Sequence, residues 1–180
     1  ALTWAYLGLN KADYDLVEIK NQPFYGNSVK EGQSQVQEAF EGETYGLSPE
    51  INKENIDFRN HFLSFDIDKN RETEFINLEM NDENNILVSS IEINARANTS
   101  SSFLVNFADK AQEKIFINSQ ILVNLEKEAK VKLVVVVDLK NESTNLNSIA
   151  TRLSDRAELD ITYIEIGATK SMVNIRNILR

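Results

Sequence analysis

The sequence has 180 residues, 42% hydrophobic and 26% charged, which is typical of one soluble domain with a sizeable core and excludes a disordered chain. Its net charge of -9 repels phosphate backbones and anionic lipid, and its longest apolar run, residues 133–137, is too short to cross a bilayer. We therefore expect neither nucleic acid nor a membrane as a partner.

The chain contains no Cys, so it has no disulfide, no thiol nucleophile and no thiolate ligand for a metal. Its first four residues lack the basic start, apolar stretch and small-residue cleavage site of a secretory signal. The sequence therefore predicts a cytoplasmic protein. The triplets at Asn98 and Asn141 that spell glycosylation sites are then not expected to be modified.

Residues 1–57 are expected to form a less regular N-terminal segment with short strands and helix, because both Pro and most of the Gly fall there. Residues 14–20 alternate weakly, as in a strand, and residues 34–41 suit two helical turns. Ser48 followed by Pro49 is typical of a helix start. This pair predicts a helix over roughly 49–58.

From residue 58 to residue 180 we expect an all-β body, because apolar residues recur at every second position. This period places one face of each strand on a core and the other face in solvent. The alternating apolar sets are Leu63/Phe65/Ile67, Ile76/Leu78/Met80, Ile91/Ile93, Phe103/Val105/Phe107, Ile121/Val123/Leu125, Val131/Leu133/Val135/Val137 and Leu159/Ile161/Tyr163.

The breaks between these strands favour stacked coils over hairpins. They are rich in Asn or charge, as at residues 81–85 and 141–145, and they contain no Asn-Gly or Asp-Gly to make tight hairpins. With 21 Asn in the chain, we expect Asn to fill the left-handed turn positions that Gly usually takes. The sequence therefore predicts a β-solenoid, with a β-sandwich of antiparallel hairpins as the alternative.

An internal repeat supports the solenoid. Residues 125–131 and 153–159 share the pattern Leu-x-x-x-Ala-x-aliphatic at an offset of 28 residues, and Phe103 lies 30 residues before Leu133. Periods of this length are typical of coils that each bury a face on the next. The predicted core ladder is Val123, Leu125, Val131, Leu133, Val135 and Val137, with Lys130 and Lys132 exposed beside it.

Three motifs resemble functional sites but lack a required element. Residues 66–70 have the spacing that opens a calcium loop, yet Arg71 stands where that loop needs Gly. Residues 167–171 end like a phosphate loop without its upstream Gly. His61 is the one His in the chain, and no nucleophile elbow accompanies it, so we expect a structural role. The sequence indicates no catalytic, cofactor-binding or metal site.

Four segments resemble the SufB/SufD proteins of the iron-sulfur cluster assembly system, and the SufD-like members most closely. Residues 3–10 resemble the family's Thr-Trp-x-x-Leu-x-aliphatic-Asn opening, and residues 121–133 resemble its core coil repeats. Residues 157–168 are similar to its Glu-aliphatic-Gly strand segment, and residues 173–179 to the ladder that follows. The resemblance touches most of the chain.

This resemblance implies a right-handed parallel β-helix core and a non-enzymatic scaffold role. It also implies a SufB-type partner bound through the β-helix edge and a SufC-type ATPase, with any iron-sulfur cluster on the assembled complex and none in this chain. Family members usually continue into further coils and a C-terminal helical region, so we expect the chain to be truncated. Their proposed cluster ligands, a Cys in SufB-like chains and a late His in SufD-like ones, have no counterpart here.

A β-helix that acts on or binds carbohydrate is the competing hypothesis. Asp66, Asp68, Glu72 and Glu74 supply carboxylates for a groove. However, Trp4 is the only Trp that could stack on a sugar, and no carboxylate pair is marked by its neighbours as one acid and one base.

We expect the isolated chain neither to hydrolyse ATP nor to hold a stable iron-sulfur cluster.

The last alternating segment, residues 175–179, would leave strand edges and apolar side chains uncovered. We expect this end to bind a partner, or a second copy when the chain is alone, because two-fold pairing covers the same patch on both copies. The alternative is an internal cap, with Trp4 and Leu7 lying over the exposed coil.

Overall fold

The computed structural model describes residue 24 and residues 35–43, 45–140 and 142–179. Two α-helices precede the strands in this part of the chain, α1 (Gln35–Ala39) and α2 (Pro49–Phe58). None of the described helices is long and apolar enough to cross a membrane. The strand predicted over residues 14–20 lies outside the described residues.

Helix α2 begins where the sequence predicts. The Ser48 side chain accepts a hydrogen bond from the Ile51 amide at 3.2 Å, and Pro49 occupies the first helical position, where its missing N–H costs nothing. The short helix predicted over residues 34–41 is also confirmed, as α1. Both helices were predictable because their signals are local in the sequence.

Nine strands follow in the described residues: β1 (His61–Ile67), β2 (Thr73–Met80), β3 (Ile86–Ala95), β4 (Ser100–Asp109), β5 (Ile115–Leu125), β6 (Lys130–Asp138), β7 (Ser143–Leu153), β8 (Glu158–Ile166) and β9 (Lys170–Leu179). The odd-numbered strands form the first sheet, in the order β1-β3-β5-β7-β9, and the even-numbered strands form the second sheet, in the order β2-β4-β6-β8. Each coil of the chain therefore gives one strand to each sheet.

All seven strand pairings are parallel, and each strand pairs with the strand two places later in the chain. This connectivity is that of a parallel β-solenoid of about four turns. The predicted all-β solenoid is confirmed, and the antiparallel sandwich is wrong. The repeat seen in the sequence is the coil period itself, because Leu125 pairs with Leu153 and Phe103 pairs with Leu133.

The core lies between the two sheets, where inward side chains of successive coils stack in columns. Ile91, Ile121 and Ile149 form one such column and are fully buried. Each buried side chain of this size is worth about 1.5–3 kcal/mol, so the columns hold the coils together. The predicted ladder is confirmed: Val123, Leu125, Val131, Leu133, Val135 and Val137 are buried, and Lys130 and Lys132 are exposed.

One strand begins earlier than the sequence suggests. Residues 141–145 look like a break, but β7 starts at Ser143. Its first inward positions hold Ser143, Asn145 and Asn147, which are polar and buried, so the apolar alternation that marks a strand is missing. Pairing with β5 on one side and β9 on the other keeps this segment extended despite its composition.

The two helices cover the outward face of the first sheet. Asn55 of α2 donates hydrogen bonds from its Nδ2 to the backbone carbonyls of Ser89 and Asn118, both at 2.9 Å. Strands β3, β5 and β7 are therefore buried on nearly all of both faces, as is usual for parallel strands. The α2 cluster contains Ile51, Val88, Phe116, Leu146 and Met172, and the α1 cluster contains Val36, Phe40, Leu122 and Ala150.

The corners from the first sheet to the second place a left-handed residue at the same point of successive coils: Asn98 (φ 61°), Glu128 (φ 59°) and Arg156 (φ 56°). The Asn98 amide donates to the Lys127 carbonyl, and the Glu128 amide to the Asp155 carbonyl, each at 3.0 Å. These bonds between coils offset the cost of about 1–2 kcal/mol for a left-handed residue with a Cβ. The prediction that Asn fills these positions is right at Asn98 and wrong at the other two.

The corner between β8 and β9 contains two consecutive left-handed residues, Gly167 (φ 84°) and Ala168 (φ 80°). A Cβ on Gly167 would lie 1.7 Å from the Leu139 carbonyl oxygen, so only Gly fits at this position. The segment that ends like a phosphate loop is thus a coil corner, and β9 starts directly after it at Lys170.

We expect Gly167→Ala to lower the free energy of unfolding by well over the ~1–2 kcal/mol that a left-handed Ala costs, because its Cβ also meets backbone held in the sheet. Gly42→Ala is the matched control, since Gly42 has φ 78° and a Cβ there would meet nothing within 4 Å. Urea unfolding of both variants measures the difference. Equal losses would contradict the steric argument.

Candidate partner-binding end of the solenoid

The two sheets end at β9 and β8, and no further strand lies beside either of them in the described residues. The free edge of a strand presents unpaired backbone N–H and C=O groups, which are able to pair with another chain. Because both edges lie at the same end of the solenoid, they form one continuous rim. This rim is the candidate functional site.

Inward-facing side chains become more exposed toward this end. In β6 they are buried, with Leu133 and Val135 fully inaccessible. In β8, Ile161 and Tyr163 are half-buried. In β9, Ile175 is 45% exposed and Leu179 is 77% exposed. Within the described residues the apolar core is therefore uncovered at β8 and β9, and any strand that packed there, from a later coil or from another chain, would gain the same burial energy that joins successive coils.

A polar cluster lies inside the solenoid next to the open end. Asn145 is fully buried and donates from Nδ2 to the Tyr163 hydroxyl at 3.1 Å and to Glu165 Oε1 at 3.0 Å. Asn147 donates from Nδ2 to Asn145 Oδ1 at 3.0 Å, and Ser171 Oγ lies 3.4 Å from Asn145 Nδ2. Hydrogen-bonding groups therefore replace apolar ones in the last coils, beside the exposed ends of the core columns.

The Tyr163 hydroxyl in this cluster stays protonated at neutral pH. Burial is the largest influence on it and raises its pKa above the ordinary value of 10.0, and the nearby Glu165 raises the pKa further. The hydroxyl donates to Glu165 Oε2 over 3.4 Å. The cluster is suited to directional hydrogen bonding and not to proton transfer near neutral pH.

The described residues offer no ligand set for a metal ion. No group of three or more His, Cys, Asp or Glu side chains comes close enough together in this part of the chain. Iron-sulfur clusters are normally held by Cys thiolates, and the sequence has none. The residues present therefore do not fit a bound cluster.

His61 lies at the opposite end of the solenoid, as the first residue of β1. Its side chain is 1% exposed, its Nδ1 lies 2.8 Å from Ser89 Oγ in a hydrogen bond, and its ring meets Phe24 edge-on. Burial lowers its pKa from 6.5 to about 4. A buried, neutral imidazole inside a column of the core has the structural role that the sequence predicts.

The carboxylates of the carbohydrate hypothesis do not converge on one site. Asp66 accepts hydrogen bonds from Arg96 at 2.9 Å and from Asn94 at 3.0 Å. The Arg96 guanidinium lowers the Asp66 pKa and also pairs with Glu126 at 3.1 Å. Asp66 is thus part of an ion-pair ladder between coils. The other three carboxylates are Asp68, Glu72 and Glu74, none of them buried.

Sequence reasoning located residues 175–179 at this end but missed the polar cluster. Its best sequence signal is a pair of Asn two residues apart, Asn145 and Asn147, within an otherwise extended stretch. Because Asn is common in turns, such a pair predicts a loop more readily than inward-facing positions of a strand. The alternative cap by Trp4 and Leu7 falls outside the described residues.

A comparison with protein families matches residues 77–180 to the family described as SUF system FeS cluster assembly, SufBD core domain. This match covers more than half of the chain's 180 residues. The chain belongs to the SufBD family. The SufBD protein therefore takes part in iron-sulfur cluster assembly, and the resemblance seen in the sequence is confirmed at the family level. Comparisons with curated proteins and with solved structures found no match.

The matched part of the SufBD protein begins within β2 and includes every later strand. It contains most of the paired core columns and the edge strands β8 and β9 of this end, whereas the edge strand β1 of the other end precedes it. The open rim and the polar cluster therefore belong to the SufBD core domain itself, whereas α1 and α2 precede the matched residues.

The buried His61 makes the SufBD protein less stable as the pH falls. Its folded-state pKa of about 4 lies below the unfolded value of about 6.5, so the unfolded chain binds the extra proton first. The stabilisation that comes from keeping His61 neutral is complete above pH 6.5. It is lost as the pH falls from 6.5 to 4, which lowers the free energy of unfolding by about 3 kcal/mol in total. His61→Gln should remove about 1.4 kcal/mol per pH unit from the slope of stability near pH 5. Urea unfolding of both proteins from pH 7 to 4.5 checks this; parallel curves would contradict it.

Proposed function

We propose that the chain is a non-enzymatic, SufD-like scaffold component of an iron-sulfur cluster assembly complex in the cytoplasm. It joins a SufB-type partner through the rim formed by β8 and β9, and the pair works with a SufC-type ATPase. The observation that carries this proposal is the match of residues 77–180 to the SufBD core domain, together with the strand edges and apolar columns that the described residues leave uncovered at β8 and β9.

The rim suits a protein partner because it combines two kinds of interaction. Strand addition to β8 or β9 supplies backbone hydrogen bonds that do not depend on side-chain identity. The exposed ends of the apolar columns, at Ile175 and Leu179, supply burial energy.

A scaffold role also agrees with the chemistry of the side chains. The iron-sulfur cluster is the cargo of the complex, and this chain has no Cys to hold it. In the resemblance that the sequence suggests, the ligand Cys belongs to the SufB-like chain, so a Cys-free chain suits the SufD-like place beside it. The thiolate ligands of the iron-sulfur cluster are then supplied by the partner.

We expect Ile175→Lys to weaken binding to a purified SufB-type protein by at least tenfold, because it places a charge over the end of a core column. Ile175 is 45% exposed, so the Lys should leave the fold intact. Ile56→Lys is the matched control, since Ile56 is 53% exposed on α2, away from the rim. Titration calorimetry measures both, and unchanged affinity in Ile175→Lys would remove the rim as the binding site.

The isolated chain should show no ATP hydrolysis above background and should retain no iron-sulfur cluster. Anaerobic incubation with iron and sulfide, followed by desalting, should leave the visible spectrum without a charge-transfer band. The same treatment of the complex with a SufB-type protein provides the positive control. A stoichiometric band on the isolated chain would overturn the scaffold proposal in this form.

A further inference from the structure

The outward face of the second sheet carries a continuous apolar surface. Two neighbouring columns cross all four strands of the sheet at its centre, one starting at Phe75 and the other at Asn77. Apolar residues in these two columns and Ile166, at the end of β8, together form a diagonal band. We call this band the apolar stripe: Phe75, Leu104, Val134, Val136, Ile164 and Ile166.

The stripe is open to solvent in the structure. Phe75 is 74% exposed, Ile166 is 58% exposed and Ile164 is 43% exposed, while the stripe residues on β4 and β6 are half-buried. On the first sheet, by contrast, the outward apolar residues are covered by α1 and α2. An exposed patch of this size on a sheet face is typical of an interaction surface.

The distribution of charge fits a protein interface with an apolar centre and a polar rim. The two central columns contain no charged residue. Charges occur only toward the two ends of the strands, and two of these positions form ion pairs, Lys130–Glu158 at 2.7 Å and Lys110–Glu79 at 2.8 Å. A second copy of the face can therefore approach without placing a charge against the two central columns.

The size of the face indicates what covers it. Four strands about 4.8 Å apart and about nine residues long span roughly 19 by 30 Å, or about 570 Å². A single helix, about 10 Å wide, would cover about half of that width. A second, equal sheet covers all of it and buries about 1,100 Å² over the two copies, which reaches the lower limit of specific interfaces.

We propose that this face is a self-association surface, on which two copies of the chain pack sheet against sheet through the apolar stripe. The contact is two-fold, so each copy uses the same residues, and the sheets lie about 10 Å apart. This surface is separate from the rim at β8 and β9, and the proposal does not rest on the proposed function.

Sedimentation of the whole chain from about 5 to 500 μM tests the proposal. We expect a reversible monomer–dimer equilibrium, and Phe75→Lys and Val136→Lys should each raise its dissociation constant at least tenfold. Phe75→Leu should leave it within about threefold, because an apolar side chain remains. Phe75 is largely exposed, so its substitution should not disturb folding, and urea unfolding verifies this for each variant.

Ile56→Lys and Ile175→Lys distinguish this contact from others. Both should leave the dimer unchanged, because neither residue lies on the second sheet. A strict monomer across the whole concentration range would overturn the proposal. A dimer lost in Ile175→Lys and kept in Phe75→Lys would also overturn it, and would place self-association at the rim. The binding of a SufB-type partner is measured separately, so the two proposals can fail independently.

Discussion

Every residue in the core of this protein stacks on the residue one coil before it, and this in-register parallel stacking constrains the rest of the structure. A column such as Ile91, Ile121 and Ile149 is stable only if each coil returns the chain to the same register. The coil lengths nevertheless differ, since Ile91 and Ile121 are 30 residues apart and Ile121 and Ile149 are 28 apart. The corners must therefore absorb the difference without shifting the columns.

The two kinds of corner share this task unequally. The last three corners that leave the first sheet, residues 96–99, 126–129 and 154–157, have four residues each, and the first, residues 68–72, has five. Corners that leave the second sheet vary in length, from five residues at 110–114 to three residues at 167–169. The constant corners also stack their charges, so that Arg96 lies between Asp66 and Glu126. Exposed ion pairs of this kind contribute about 0–1 kcal/mol each, and their main effect is to disfavour any other register, where like charges would meet.

Stacking also explains where the protein is able to interact. In the middle of the solenoid every strand has neighbours on both sides, so only its outward face is free. At the end, the unpaired edges of β8 and β9 and the exposed Ile175 and Leu179 reproduce the surface on which one coil receives the next. A later coil, or the partner strand that we propose, would pack there by the same interactions that build the core.

The sequence by itself determined the features that depend on neighbouring residues. Period-two alternation identified the strands of the core, Ser48 and Pro49 identified the start of α2, and the 28-residue offset between Leu125 and Leu153 identified the coil. Only the tertiary structure decided the rest. β7 is extended at Asn145 because β5 and β9 hold it there, and Glu128 and Arg156 are left-handed because their place in the corner requires it. Likewise, the sequence does not distinguish an alternating strand with neighbours on both sides from one at an open edge, because that depends on pairing with residues more than 25 positions away.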